Sequence, residues 1–490
     1  MQNKSRMSGI YKNISDWHSF RLKVFAEGIG TGIFAGLVIC FFRWALHETE
    51  AWRASFFKNV LAQNPLYILG WFVALLGIAY VLDKLTKHEP LAAGSGIPQV
   101  KGAILGLIKM RWFSIMWVKL LAGVIGIGAG LSLGREGPSI QLGAVSAQGI
   151  SRFLGRTRME ERYLITSGAS AGLAAAFNAP LAGVMFALEE LHRSFSIVVL
   201  LPSMAAAFTA TVLSRLIFGR APIFNIPDLQ VLHTEDLAIV ILVAIVAGTC
   251  GVIFNKGLLN VHKFYALPIF KSSFHKIAFA LVCAGVLGFF LPEVLGGGNN
   301  LINSLANSPA PLTMLLLFLV GKLIFTFISY GCGVPGGFFL PMLVIGALSG
   351  SVISNILISL GLIEASIGPT IVVIAMAALF SSSVRAPITG TVLIMEMTSS
   401  YQQLLSLAVA CMIAFVIAEL CESKPIYEEL LARTLGAKAP SEEIKHQRSL
   451  AEFVVDSGSF CENKMVKDIP WPARALVVDI KRGEASVVPG

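Results

Sequence analysis

Residues 333 to 347 read GVPGGFFLPMLVIGA, with three glycines and two prolines in the first nine positions and an apolar run, Phe339 to Leu362, starting inside them. Glycine tolerates close approach and positive φ, and proline sits readily in a helix's first turn, where its missing N–H costs nothing. The stretch therefore predicts a helix that starts within apolar surroundings. An earlier segment has the same form. Gly134-Arg135-Glu136-Gly137 leads into Pro138-x4-Gly143-Ala144, which anticipates Pro341-x4-Gly346-Ala347 by 203 residues. A second motif nearly repeats the offset: Ala179-Pro180-Leu181-Ala182-Gly183 returns 207 residues later as Ala386-Pro387-Ile388-Thr389-Gly390, and the acids Glu189 and Glu396 keep that spacing. Two motifs in one order at nearly one spacing predict a duplicated half, residues 24–235 followed by residues 236–421. Internal repeats with Gly/Pro-interrupted helices at matching places are the expected pattern of a secondary transporter, whose site lies where the broken helices meet.

Outward from these breaks the chain is strongly apolar. Of its 490 residues 55% are hydrophobic and 14% charged, against about 25% charged in an ordinary soluble domain. Crossing hydrocarbon takes roughly 20 apolar residues per helix, and runs near that length recur at 24–46, 66–82, 113–133, 197–218, 237–254, 277–291, 312–328, 339–362, 367–394 and 404–420. The pattern predicts an all-α polytopic membrane protein with the lipid bilayer as its solvent. No segment alternates like the ten-residue strands of a transmembrane barrel.

The net charge of +9 does not read as a nucleic-acid footprint. Residues 422–490 hold ten Lys/Arg and eleven Asp/Glu, so the excess sits at the edges of the apolar runs. Lys4, Arg6, Lys12, Arg21 and Lys23 against the single acid Asp16 place residues 1–23 in the cytoplasm by the positive-inside rule. The first run contains Glu27 and is too long for a signal-peptide core, so it is expected to be retained. Seven scattered cysteines without C-x-x-C, and no H-E-x-x-H, point to neither a disulfide framework nor a zinc site, and no cofactor is expected. At Glu422 charged residues rise from 46 of 421 to 21 of 69, which predicts a soluble cytoplasmic tail over 422–490. Within it, Ala475 to Val488 alternates around Lys481-Arg482-Gly483-Glu484 like a hairpin. Two strands are marginal alone, so this small domain is expected to be truncated or completed by a partner.

Four interruptions carry the chemistry: Gly94-Ser95-Gly96-Ile97-Pro98, Gly134 to Pro138, Gly333 to Pro341, and Lys424-Pro425-Ile426-Tyr427. The first three are candidate helix starts at membrane depth. A helix N-terminus presents unpaired N–H groups and about half a positive charge, and several aimed at one point cradle an anion. Backbone donors suit a halide that must also leave. Ser95 and Tyr427 add candidate hydroxyl donors. Taken singly, each break also reads as a kink between packed membrane helices. Acids within membrane segments are functional-site hypotheses by default. Glu136, between glycines at a predicted helix start, is placed to accept the N–H groups that bind the anion, entering when ionised and leaving when protonated; its plain alternative is a helix-capping acid. Glu190 closes the apolar stretch GVMFALEE and is a candidate for passing protons from the water side, or simply an interfacial acid.

GSGIP at 94–98, GREGP at 134–138, GVPGGFFLP at 333–341 and the tyrosine of KPIY at 427 resemble the signatures of the CLC chloride channels and transporters. With AGLAAAFNAPLAGVMFALEE (171–190), GVIFNK (251–256) and RAPITGTVLIMEMT (385–398), the resemblance spans about residues 24–435. It implies a homodimer in which each subunit has its own anion pathway, built from two halves of opposite membrane orientation, with more helices than apolar runs. By similarity, Ser95 and Tyr427 donate to a central chloride along with amides around Phe338 and Phe339. Amides of Gly134, Arg135 and Gly137 line an outer site that the Glu136 side chain fills as gate and external proton acceptor. Glu190 matches the internal proton-transfer glutamate of the family's exchangers, which favours a proton-coupled chloride transporter of an inner membrane over a passive channel on the same fold. Ser95 stands where nitrate-preferring members tend to carry proline, so chloride is the expected anion. Gln99 and Lys101 follow GSGIP where some exchangers have acids. The tail resembles the first half of the TrkA-C type module of bacterial potassium-uptake regulators, which implies a regulatory ligand.

Overall fold

Each of the four breaks becomes the start of a helix. The computed structural model describes residues 2–490 apart from 59–64, 227–228, 233, 308–309, 437–454, 456–460, 463, 472–475, 478, 483–484 and 488–490. Its first eight helices are α1 (Gln2–Phe56), α2 (Pro65–His88), α3 (Ile97–Ile104), α4 (Trp112–Gly128), α5 (Glu136–Phe153), α6 (Arg158–Phe177), α7 (Pro180–Phe186) and α8 (Ile197–Phe218). The next nine are α9 (Leu237–Phe264), α10 (Ser273–Phe290), α11 (Asn299–Asn307), α12 (Leu312–Gly331), α13 (Phe339–Ser359), α14 (Gly368–Val384), α15 (Pro387–Thr398), α16 (Leu404–Leu420) and α17 (Ile426–Gly436). Among the described residues nine helices are long and apolar enough to cross a membrane.

The ten apolar runs do not map one to one onto these. The run 367–394 is two helices, α14 and α15, because Arg385 turns left-handed (φ 68°) and Pro387 restarts the chain. The run 113–133 is helical only as far as Gly128, the end of the 17-residue α4. In the other direction, α5 and α6 fall outside the apolar runs. They are rich in Gly, Ala and Ser and buried on most sides, so neither shows a lipid-facing stripe. Their small residues allow the backbones to touch: a methyl added to Gly143 would lie 2.1 Å from the Gly168 carbonyl oxygen. The second half packs α13 on α14 in the same way, with a methyl on Gly346 falling 2.8 Å from the Met376 Cα.

Two sets of reciprocal bonds tie the halves together, and a third set recurs inside each half. Gly134 N–H donates to the Gly337 carbonyl (2.6 Å) and Gly337 N–H returns the bond to Gly134 (2.9 Å). Glu189 accepts the amides of Ile388 (3.2 Å) and Thr389 (2.7 Å) at the start of α15, while Glu396 accepts those of Leu181 (3.2 Å) and Ala182 (2.8 Å) at the start of α7. Lys119 donates to the carbonyls of Ala92 and Gly94, and Lys322 to those of Val294 and Gly296. Contacts that come in such exchanged pairs are what a local two-fold between repeats produces.

The compact unit runs from Val24 to Ala432, past the compositional change at Glu422, since Ile426 and Tyr427 of α17 are fully buried. Residues 1–23 and 433–490 form the other unit. In it, β1 (Ile480–Arg482) and β2 (Ala485–Val487) pair antiparallel, with Lys481 opposite Ser486 and Arg482 opposite Ala485. The hairpin is therefore present but tighter than the sequence pattern implied. Lys481 and Arg482 belong to the strand rather than the turn; positions 483–484 lie outside the described residues.

Candidate anion and proton site

The breaks before α3, α5 and α13 meet. Gly336 N–H donates to the Gly94 carbonyl at 3.0 Å, joining the first break to the third. The Gly134–Gly337 bridge joins the second to the third. The first and second touch where a side chain on Gly137 would fall 2.5 Å from Ser95 Oγ and 2.8 Å from its carbonyl oxygen. Gly96 caps α3 at φ 91°, a left-handed conformation that favours glycine, and a methyl there would strike Gln141 Oε1 at 2.4 Å. Glycine is thus required twice over, by backbone angle and by space. Three helix N-termini then abut, and the first-turn amides of each have no helical carbonyl to bond. Their partial positive charges add.

Two hydroxyls belong to the same junction. Ser95 Oγ and Tyr427 Oη are buried and have no hydrogen-bond partner, a rare state for buried polar atoms that calls for an explanation. Tyr427 is stacked on Phe338 (centroids 5.4 Å apart, 24° between planes) and meets Phe186 edge-on at 6.3 Å. Phe339 packs against Phe177, Phe186 and Phe380. These fully buried rings place the amides beside them in a medium where a dipole acts strongly.

Glu136, fully buried at the first position of α5, folds back over the junction. Its carboxylate sits against Gly134, and the amides of Glu136 and Leu340 face it. Neither oxygen has a hydrogen bond of good geometry, and the nearest cation, Arg135 Nε, is 3.8 Å away. The carboxylate occupies a cradle of amides without a fixed partner.

Glu190 lies elsewhere. After α7 the chain widens into a π-helical turn, Ala187–His192, a local insertion often found at functional sites. The turn sends two consecutive acids to different places: Glu189 to the start of α15, and Glu190 inward, 2% exposed, to Lys101 Nζ at 2.7 Å. Tyr427 is within Coulombic reach of both Glu136 and Glu190.

The structure thus brings Ser95, Gly134, Arg135, Glu136, Gly137, Phe338, Phe339 and Tyr427 together and sets Glu190 apart. Sequence reasoning missed Tyr330, whose ring meets Phe338 edge-on at 4.9 Å and whose hydroxyl bonds the Ser95 backbone. It also missed the lysines. Lys119 and Lys322 are fully buried, and a usable signal existed, because they are 203 residues apart, the same spacing as Pro138 and Pro341.

Residues 78–419 match the voltage gated chloride channel family. The chain belongs to that family. Among curated family members, the H(+)/Cl(-) exchange transporter ClcA of Vibrio cholerae is 34% identical over 423 residues, covering 82% of this chain and 88% of the relative. Among solved structures, a slow cyanobacterial Cl−/H+ antiporter superposes with TM-score 0.81 at 32% identity, covering 85% of this chain and 98% of that one. A CLC-type fluoride/proton antiporter superposes with TM-score 0.69 at 25% identity, covering 83% and 97%. The family match ends before Tyr427, so within this CLC chain the assignment of that residue rests on its burial beside Phe338 and its unpartnered hydroxyl.

Proposed function

We propose that this chain is an H+/Cl− exchanger in which chloride and the Glu136 carboxylate compete for one set of backbone amides. The observation that carries the reading is the meeting of three helix starts around two unpartnered hydroxyls, with a buried carboxylate laid over the junction. An ionised Glu136 and a chloride make the same demand on those amides, so they exclude one another. Protonation removes the carboxylate's charge and with it the attraction to the helix ends. Chloride then enters, held by amides of Gly134, Arg135, Gly137, Phe338 and Phe339 and by the hydroxyls of Ser95 and Tyr427. Dipoles rather than a bonded cation let it leave again. Glu190 exchanges protons with the other side. Because a proton must arrive at Glu136 before chloride moves, the two fluxes are coupled.

The same reading assigns residues 24–235 and 236–421 to repeats of opposite membrane orientation, a role that the antiparallel Gly134–Gly337 bridge supports. It takes the working unit as a homodimer in a bacterial inner membrane, with residues 1–23 and the 422–490 tail cytoplasmic and the tail binding a regulatory ligand. Chloride and protons are the transported ions.

Liposomes containing the purified protein, held under crossed chloride and pH gradients, test the reading. A chloride gradient drives protons uphill and the reversal potential moves with both gradients. A reversal potential that ignores pH selects the passive channel instead.

A further inference from the structure

Glu190 is almost entirely enclosed by protein, so a neighbour that meets solvent is the natural source of its proton. Its side chain is 2% exposed and its Oε1 is held by Lys101 Nζ at 2.7 Å. Lys101, in the last turn of α3, is itself 4% exposed, and its ammonium also reaches Glu428 Oε1 at 3.5 Å. Glu428 is the third residue of α17, directly after Tyr427, and its side chain is 37% exposed. The order acid, base, acid runs from the buried carboxyl to one that meets solvent.

Other groups nearby are engaged differently. Glu189 is committed to the amides of Ile388 and Thr389 and to the Thr389 hydroxyl, so it faces the second half and not Lys101. Arg193 pairs with Glu428 from the water side. His192 contacts Thr166 at 3.2 Å and feels Arg162, and Glu429 lies 3.8 Å from Lys424. None of these stands between Glu190 and Glu428. A single acid would satisfy Lys101 if the pair served only to neutralise a buried charge; here the ammonium bridges two acids that differ in access to water.

We propose that Glu428 is the water-side proton collector for Glu190 and that Lys101 passes the proton between them. The Lys101 ammonium gives one proton to the Glu190 carboxylate, leaving an amine and a carboxylic acid, both neutral. The amine then takes the proton carried by the Glu428 carboxyl, which restores the ammonium and leaves Glu428 as carboxylate for reloading from water. One proton moves inward and total charge is conserved at each step. A buried ion pair favours such neutralisation because low dielectric penalises both ions. The inference rests on the exchanger reading in one respect, that Glu190 is the internal proton-transfer group.

The experiment measures proton and chloride flux separately in liposomes containing wild type, Lys101→Arg, Glu428→Gln or Glu190→Gln, across a range of pH on the side where α17 begins. Arginine keeps the pairing charge and the donors but does not release a proton. Lys101→Arg and Glu428→Gln are each expected to lower the proton-to-chloride flux ratio by about a hundredfold, the lower end of what a positioned acid–base group supplies. Chloride flux persists in both, which reports that they are folded. Glu428→Asp restores the ratio. Wild-type ratio and pH profile in either Lys101→Arg or Glu428→Gln, with Glu190→Gln uncoupled, overturns the relay while leaving Glu190 in its role. Wild-type coupling in Glu190→Gln overturns the role of Glu190 itself, and the relay with it. Should the arginine variant fail to assemble, Glu428→Gln reads the same step at a partly exposed side chain.

Discussion

In the first half of the molecule α5 opens on Glu136; 203 residues later, at the matching place, α13 opens on Phe339. The acid pair Glu189-Glu190 has its counterpart 207 residues on in Glu396-Met397. What recurs is the framework: Gly134 with Gly337 and Glu189 with Glu396 exchange matching bonds across the two halves, and Lys119 and Lys322 each make the same kind of bond within their own half. What does not recur is the titrating pair, Glu136 and Glu190. On the proposed exchanger reading, residues that obey the repeat hold the helix ends in place, and residues that break it carry the proton. A site lying on a local two-fold is supplied with amides from both sides but needs only one displaceable carboxylate, since two would repel at one position.

The strongest attack on this contrast removes the carboxylates. Glu136→Ala is expected to abolish proton movement and to flatten the pH dependence of chloride flux, which on the proposed reading should rise in wild type as pH falls, because protonation would vacate the cradle. Proton flux and chloride flux recorded from pH 4 to 8 decide it, and a variant that still pumped protons would contradict the gate. Glu190→Gln is expected to stop protons alone while chloride still moves. The control lies in the other half: Met397→Leu, a volume-conserving change at a fully buried side chain, costs under about 1.5 kcal/mol and leaves the ratio of the two fluxes unchanged. Equal loss of coupling in the two variants would mean that both halves carry the proton.

The lysines sharpen the other side of the contrast. Each is fully buried and holds two carbonyls, at 2.9 and 2.7 Å for Lys119 and 2.9 and 2.8 Å for Lys322. Methionine keeps the volume but orphans both acceptors, a cost of about 1–3 kcal/mol for each group left unsatisfied. Lys119→Met and Lys322→Met should therefore lower the unfolding midpoint of the detergent-solubilised protein by similar amounts. A large asymmetry would show that one of them serves more than the framework.

These residues also mark the limit of what the sequence discloses. The four breaks were legible because glycine and proline act on the backbone at the position where they stand, so GSGIP, GREGP and GVPGGFFLP announce helix starts before any packing is known. Glu136 was legible for a related reason, being a charge inside such a start. Lys119 and Lys322 were not, because a lone lysine in an apolar run gives no sign of whether it reaches lipid headgroups or a buried carbonyl, and only their common offset links them. The extent of α5 beyond its start, and the whole of α6, were hidden as well. Hydropathy detects contact with lipid, and helices surrounded by other helices are built of small residues instead. The partnership of Lys101 with Glu190 spans 89 residues and depends on the π-helical turn, which no local pattern announces.

The mildest test concerns Glu189 and Glu396, the one acid pair that obeys the repeat. Each accepts two amides at the first turn of the other half's helix, where a carboxylate complements the positive end of the helix. Glutamine retains an acceptor oxygen and loses the charge, so each substitution removes only the charge-assisted part of the interaction, about 1 kcal/mol. Glu189→Gln and Glu396→Gln should each lower the unfolding midpoint slightly and to the same extent, with the proton-to-chloride ratio unchanged in both. Glu189 makes this informative, since it is the immediate neighbour of Glu190 and an acid on the same turn. If Glu189→Gln alone reduced proton flux, the proton route would run through both acids of the π-helical turn, and position within the repeat would no longer separate framework from chemistry.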